Sequence, residues 1–320
     1  MLIWLLPISA VVVGFVVLVW AADRFVLGAA ATARNVGVSP LVIGLTIVGF
    51  GTSAPELLVS GIAAFTGSAD LCVGNALGSN ITNMALVLGA AAVVAPMSVQ
   101  GTVLRRELPI LVGCLVLATA LMLDGELGRI DGVLLAVALV AMMGWIVKIG
   151  LESEDPSEIE EELPDPMPTW KALGWTVAGL ALLLGSSRLL VWGATELAQQ
   201  AGVSELVIGL SVVAFGTSLP ELAASVVAAR RGEHDLAVGN VIGSNMFNTL
   251  GVLALPGLIA PSPVPTLVLQ RDLPALFGIT ALFFVMTKFF LRPSHVSRIE
   301  GSVLVASFVA YMGAVYVTIT

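Results

Sequence analysis

The chain has 320 residues, of which 58% are hydrophobic and 11% charged, and its net charge is −8. Soluble globular domains carry about 25% charged residues, and a mean hydropathy of +1.01 makes lipid the solvent for most of this chain. Eight of its 22 acidic residues lie between Glu152 and Asp165, and no basic patch exists, which excludes nucleic acid as a partner.

A membrane span needs roughly 20 apolar residues. Apolar runs between charged or Pro/Gly breaks predict about ten spans, near residues 2–22, 38–64, 71–95, 107–123, 130–150, 171–197, 205–229, 236–260, 273–291 and 300–319. The first run has no basic residue ahead of it and reads as a retained helix rather than a cleaved signal. The second carries GLTIVGFGTSAPE, residues 44–56, and the third GNALGSNITN, residues 74–83. After the fifth span comes an acidic stretch, residues 151–170, with four prolines. It lacks the ligand spacing of a calcium-binding EF-hand loop and reads as a solvated cytoplasmic linker. The seventh span carries GLSVVAFGTSLPE, residues 209–221, and the eighth GNVIGSNMFN, residues 239–248. Cys72 and Cys114 form no CxxC, and the two histidines, His234 and His295, sit beside loop-like polar residues. A His/Cys metal site is therefore not expected.

Both motif pairs are offset by the same 165 residues, which marks an internal repeat. Five spans separate equivalent helices. Five is odd, so the two copies cross the membrane in opposite directions. The expected fold is an all-α integral membrane protein of two inverted five-helix half-repeats, residues 1–150 and 171–320, joined by the linker. Inverted repeats of this kind place a substrate site at their interface near the bilayer midplane. Basic residues set the orientation. With the N-terminus outside, the cytoplasmic loops hold Arg34, Arg105, Arg106, Lys148, Lys171, Arg230, Arg231, Lys288, Arg292 and Arg298, against Arg129 and Arg271 outside. The chain is expected in the cell membrane, with both termini extracytoplasmic.

Glu56 and Glu221 lie deep in apolar segments at equivalent places of the two repeats. Ionisable residues at membrane depth are costly and point to function. Thr52 and Ser53 precede Glu56 by four and three residues and share its helix face; Thr217 and Ser218 do the same for Glu221. Pro55 and Pro220 cannot bond the carbonyls of Gly51 and Gly216, four residues earlier. A broken helix is tolerated in a membrane only against protein or a water-filled cavity. In the second motif, Ser79 and Asn83, and Ser244 and Asn248, are spaced i, i+4, and Asn75, Asn80, Asn240 and Asn245 add amides. Gly74, Gly78, Gly239 and Gly243 form small-xxx-small pairs suited to close helix approach. An all-oxygen set suits a hard cation such as calcium. Two ionised glutamates carry charge −2, which one Ca2+ or two or more Na+ ions balance. An empty site would leave like charges uncompensated and force protonation, so one ion species should replace another.

At these residues the chain resembles the sodium/calcium exchanger family, whose two alpha-repeats look like GFGTSAPE with GNALGSNITN and AFGTSLPE with GNVIGSNMFN. The short linker resembles prokaryotic members. The resemblance implies that Glu56, Glu221, Thr52 and Thr217 hold calcium. It implies that Ser53, Ser79, Ser218 and Ser244 flank them as sodium positions. Ala214 would ligate through its carbonyl, with Gly49 in the symmetric place, and Asn83 and Asn248 would complete the centre. It further implies that helices near 2–35 and 171–200 slide across the core. Members with obligatory potassium coupling have Asp where this chain has Asn248, and calcium/proton antiporters carry an acidic residue after the GN pair, which is absent here. The expectation is Na+/Ca2+ exchange by alternating access, with Ca2+/H+ antiport or K+-dependent exchange as the alternatives. A channel would pass ions downhill without a counter-ion. No enzyme activity, cofactor or obligatory protein partner is expected, since one chain holds both halves of the site and the ions are cargo.

Overall fold

The computed structural model describes residues 2–101, 103–152, 167–202, 214–289 and 294–319. The helices, in chain order, are α1 (Leu2–Val36), α2 (Pro40–Thr52), α3 (Ala54–Phe65), α4 (Asp70–Val94), α5 (Leu108–Met122), α6 (Arg129–Glu152), α7 (Thr169–Gln200), α8 (Ala214–Thr217), α9 (Leu219–Arg231), α10 (His234–Ile259), α11 (Val268–Lys288) and α12 (Arg298–Ile319). Seven of these helices are long and apolar enough to cross a membrane, and the α2–α3 pair, bent by 43°, makes an eighth. Of the ten expected spans, the one near 107–123 is the short helix α5, preceded by a π-helical turn at Val103–Glu107. The one near 205–229 begins among residues 203–213, which fall outside the described residues, as do the linker residues 153–166 and Arg292.

α1 runs past the apolar stretch 2–22 and matches the helix near 2–35 that the resemblance implies: it has 35 residues, about 52 Å at 1.5 Å per residue. Asp23 and Arg24 end the apolar run but not the helix, because each has a compensating neighbour for its charge. Asp23 pairs with Arg231 at 2.5 Å, and the Arg24 guanidinium lies 5.7 and 5.4 Å from the ring centres of Trp20 and Trp175, a cation–π arrangement.

The repeat is visible in the secondary structure itself. The π-helical turns at Val103–Glu107 and Val268–Asp272 are 165 residues apart, and the turn at Thr82–Val87 answers that at Asn248–Val252. Two short antiparallel ladders tie the loops. β1 (Met97–Ser98) pairs β4 (His295–Val296), and β2 (Glu126–Leu127) pairs β3 (Ser262–Pro263). At the first end, His234 Nδ1 also lies 2.8 Å from Ser98 Oγ, and Asn35 donates to the Met167 carbonyl at 2.9 Å. Loops expected on the same face thus meet one another.

The core crossing is α2 against α10. A Cβ on Gly239 would lie 2.7 Å from the Leu41 carbonyl oxygen, and one on Gly49 2.9 Å from the Ser244 nitrogen. The small residues permit backbone contact where lipid offers no hydrophobic drive for helix association. Gly74 and Gly78 meet nothing within 4 Å among the described residues; the segment that would answer Leu41–Leu45 is 206–210, outside them. α1 and α7 form a second tight pair through Gly14, Gly28, Gly179 and Gly193.

Candidate ion-binding site

Pro55 and Pro220 occupy the second position of α3 and α9, where a missing N–H is tolerated. The breaks fall two residues earlier. Ser53 (φ −80, ψ 5) and Ser218 (φ −87, ψ 5) share one non-helical conformation. Neither serine caps its own helix, so both hydroxyls are left for other partners. In the second half the carbonyl freed by Pro220 is met from outside: Ser187 of α7 donates to the Gly216 oxygen at 3.1 Å.

Glu56 and Glu221 then sit in the first turn of α3 and α9, where the helix dipole favours an anion. Both are fully buried. Ser79 donates to Glu56 Oε1 at 3.4 Å, and Ser53 of the first repeat donates to Glu221 Oε1 of the second at 3.2 Å. The Thr217 hydroxyl also bonds Glu56. The two motifs therefore meet across the repeat interface.

Thr52 Oγ1 lies 3.4 Å from Ser244 Oγ and donates to Asn240 Oδ1 at 3.0 Å. Ser244 donates to the Gly49 carbonyl at 3.2 Å. Among the described residues, Ser218 Oγ, the amide atoms of Asn83 and Asn248, and Oε2 of both glutamates are buried without a hydrogen-bond partner. Buried polar atoms are normally paired, so this set of oxygens is disposed to accept something else. Ala214 begins α8, and its side chain lies outside the described residues. Among the described residues no group of three or more His, Cys, Asp or Glu could hold a metal; the donor set is two carboxylates among hydroxyls, amides and carbonyls.

Two amides serve as braces rather than donors to the open centre. Asn75 Nδ2 donates to the Glu56 carbonyl at 3.2 Å and Ser60 Oγ at 2.9 Å. Asn240 Nδ2 does the same to the Glu221 carbonyl at 3.3 Å and Ser225 Oγ at 2.8 Å. Ser60 and Ser225 were absent from the motif reading, yet they too stand 165 apart, and the repeat offset alone identifies them. Thr249, which accepts from Asn80 Nδ2 at 2.8 Å, carries no such signal, because Met84 holds its place in the first repeat.

Asn240→Leu should be the more disruptive of the two brace substitutions. It removes the Thr52 acceptor as well as two donor contacts, and each buried group left unpaired costs about 1–3 kcal/mol. In thermal melts of detergent-solubilised protein, Asn240→Leu should melt several degrees below Asn75→Leu. Equal melting points would show that the Thr52–Asn240 bond carries no stability.

A family model described as sodium/calcium exchanger protein matches residues 6–148 and 171–317. The inner membrane protein YrbG of Escherichia coli is 39% identical over 98% of this chain and 97% of its own length. The sodium/calcium exchanger MaX1 of Methanosarcina acetivorans is 29% identical over 93% of this chain and 95% of its own. A solved structure of the sodium-calcium exchanger NCX_Mj, soaked with sodium and calcium, superimposes with a TM-score of 0.84 and 32% identity, covering 96% of this chain and 98% of that one.

Proposed function

The chain belongs to the sodium/calcium exchanger family, a multi-pass membrane family, and from that premise we propose that it exchanges Na+ for Ca2+ across the cell membrane by alternating access. The observation that carries this reading is the pair Glu56 and Glu221, each in the first turn of a broken helix and each bonded by hydroxyls of the other repeat. In this proposal the chain crosses the membrane ten times as two inverted five-helix halves, with both termini outside. The meeting of loops at each end and the recurrence of π-helical turns at the repeat offset support it.

Glu56, Glu221, Thr52 and Thr217 hold calcium in the centre. Ser53, Ser79, Ser218 and Ser244 serve flanking sodium positions, with the carbonyls of Ala214 and Gly49, and Asn83 and Asn248 fill the middle. The charge of −2 is met by one divalent ion or by two or more monovalent ones. Moving the site empty would expose two unpaired buried charges to their full desolvation cost, and this couples the two ions. No cofactor and no obligatory protein partner enters the scheme.

The test compares counter-ions in proteoliposomes. An outward Na+ gradient, with K+ absent, should drive calcium-45 uptake, while an outward H+ gradient without Na+ should not. Uptake driven by protons alone would assign the chain to calcium/proton antiport, and a requirement for K+ would assign it to potassium-dependent exchange.

A further inference from the structure

The molecule consists of two bodies, each of which obeys the repeat symmetry internally. In the α1–α7 pair, a Cβ on Gly14 would lie 2.9 Å from the Leu190 nitrogen, and one on Gly179 2.7 Å from the Phe25 nitrogen. Positions 14 and 179, like 25 and 190, differ by 165. In the core, the Asn75–Ser60 and Asn240–Ser225 bonds repeat at 2.9 and 2.8 Å. The contact between the two bodies breaks this symmetry. Gly51 has Leu180 as its nearest neighbour and Gly216 has Val191, both on α7. The symmetric alternative would set Val26 against Gly51 and Phe15 against Gly216, both on α1. Likewise α1 lies along α9, whereas α7 makes no comparable contact with α3 among the described residues. Exchanging the roles of the halves yields a second arrangement with the same contacts inside each body, so the two arrangements differ in energy through the contacts between the bodies.

Among the described residues, polar contacts cross that boundary at two places named here. Ser187 Oγ donates to the Gly216 carbonyl at 3.1 Å, and Asp23 Oδ1 accepts from Arg231 Nε at 2.8 Å and Nη2 at 2.5 Å. Their counterparts cannot form in the swapped arrangement. Ala22 stands in the place of Ser187, facing Gly51, and Arg188 and Thr66 stand in the places of Asp23 and Arg231. We propose that Ser187 and the Asp23–Arg231 pair form a one-sided latch that favours the arrangement seen here over its repeat-swapped partner. They are positioning residues: they touch no transported ion and set how often the site is offered to the opposite side. The inference rests on the alternating-access reading, but its consequence is a population, not a flux.

The test is a pulsed electron–electron distance measurement on ion-free, full-length protein in lipid nanodiscs. Spin labels go on Leu173→Cys in α7 and Ile62→Cys in α3, both exposed, in a Cys72→Ala/Cys114→Ala background. The parent should show one dominant distance. Removing a hydrogen bond and an exposed ion pair in Ser187→Ala/Asp23→Asn should shift the ratio of two distance populations by about tenfold. The charge exchange Asp23→Arg/Arg231→Asp, with Ser187 intact, should restore the parent ratio relative to Asp23→Asn alone. A ratio within about twofold of the parent in the double variant, or a charge exchange indistinguishable from Asp23→Asn, overturns the latch. Because no ion movement is read, failure of the exchange assay leaves this outcome unaffected, and failure here leaves exchange untouched.

Discussion

Glu56→Gln and Glu221→Gln should each weaken calcium binding by at least about a thousandfold while leaving the helical content unchanged. Each substitution removes a full charge from a site that is fully buried. At an effective dielectric of about 20, one unit charge 4 Å from another is worth about 4 kcal/mol, and a divalent ion doubles that. The amide also turns one oxygen into a donor, so the face that Oε2 presents without a partner becomes repulsive to a cation. The hydroxyl partners tolerate the change: Ser79 and Ser53 each address Oε1, and an amide oxygen accepts as a carboxylate does. Equilibrium binding of calcium-45 to purified protein, with circular dichroism as the fold control, reads the effect. Binding within a few-fold of the parent in either variant would remove the glutamate pair from the site.

Gly243→Ala should be the most damaging single-methyl substitution in the core. Its Cβ would fall against the Leu45 carbonyl, 2.8 Å from the carbonyl carbon and from the Leu45 Cα. Backbone cannot rotate away as a side chain can, so α2 and α10 must separate. Overpacking of this sort typically costs about 1–3 kcal/mol and occasionally more. For a protein of this size that lowers the melting temperature by about 2–5 °C. The same separation pulls Ser244 from the Gly49 carbonyl, now 3.2 Å away, so ion affinity should fall alongside stability. Gly144→Ala is the matched control: nothing among the described residues lies within 4 Å of its Cβ position, and alanine favours the helix. Equal melting of the two variants would show that α2 and α10 have room to yield.

The candidate site was legible in the sequence because repetition singles out residues that composition hides. Two glutamates among about ten apolar runs would be ambiguous alone. At one offset, each behind a Gly and ahead of the same asparagine-rich second motif, they mark a single place, and Ser53 reaching Glu221 across the interface is the geometry that reading implies. Hydropathy alone did not show the end of the first helix. Charge breaks a hydropathy run wherever it occurs, and only the fold reveals that Arg231 and two indoles compensate Asp23 and Arg24. The division of labour among the asparagines was equally hidden. Asn75 and Asn240 brace backbone and serine, Asn80 holds Thr249, and Asn83 and Asn248 face no hydrogen-bond partner among the described residues. A spacing of three or four residues places all of them near one another without saying which way each amide turns. Ser187 was invisible for a different reason: its value lies in differing from Ala22, and a repeat is read for what its halves share.

The central claim is that sodium moving through this site drives calcium against its gradient, and one experiment addresses it directly. Proteoliposomes loaded with sodium and a low, known calcium concentration are diluted into sodium-free medium containing calcium-45, and internal calcium is followed to its maximum. The account predicts transient accumulation above the external concentration, dependent on internal sodium and absent in Glu221→Gln. Calcium that only equilibrates across the membrane, or accumulates equally without internal sodium, would contradict it.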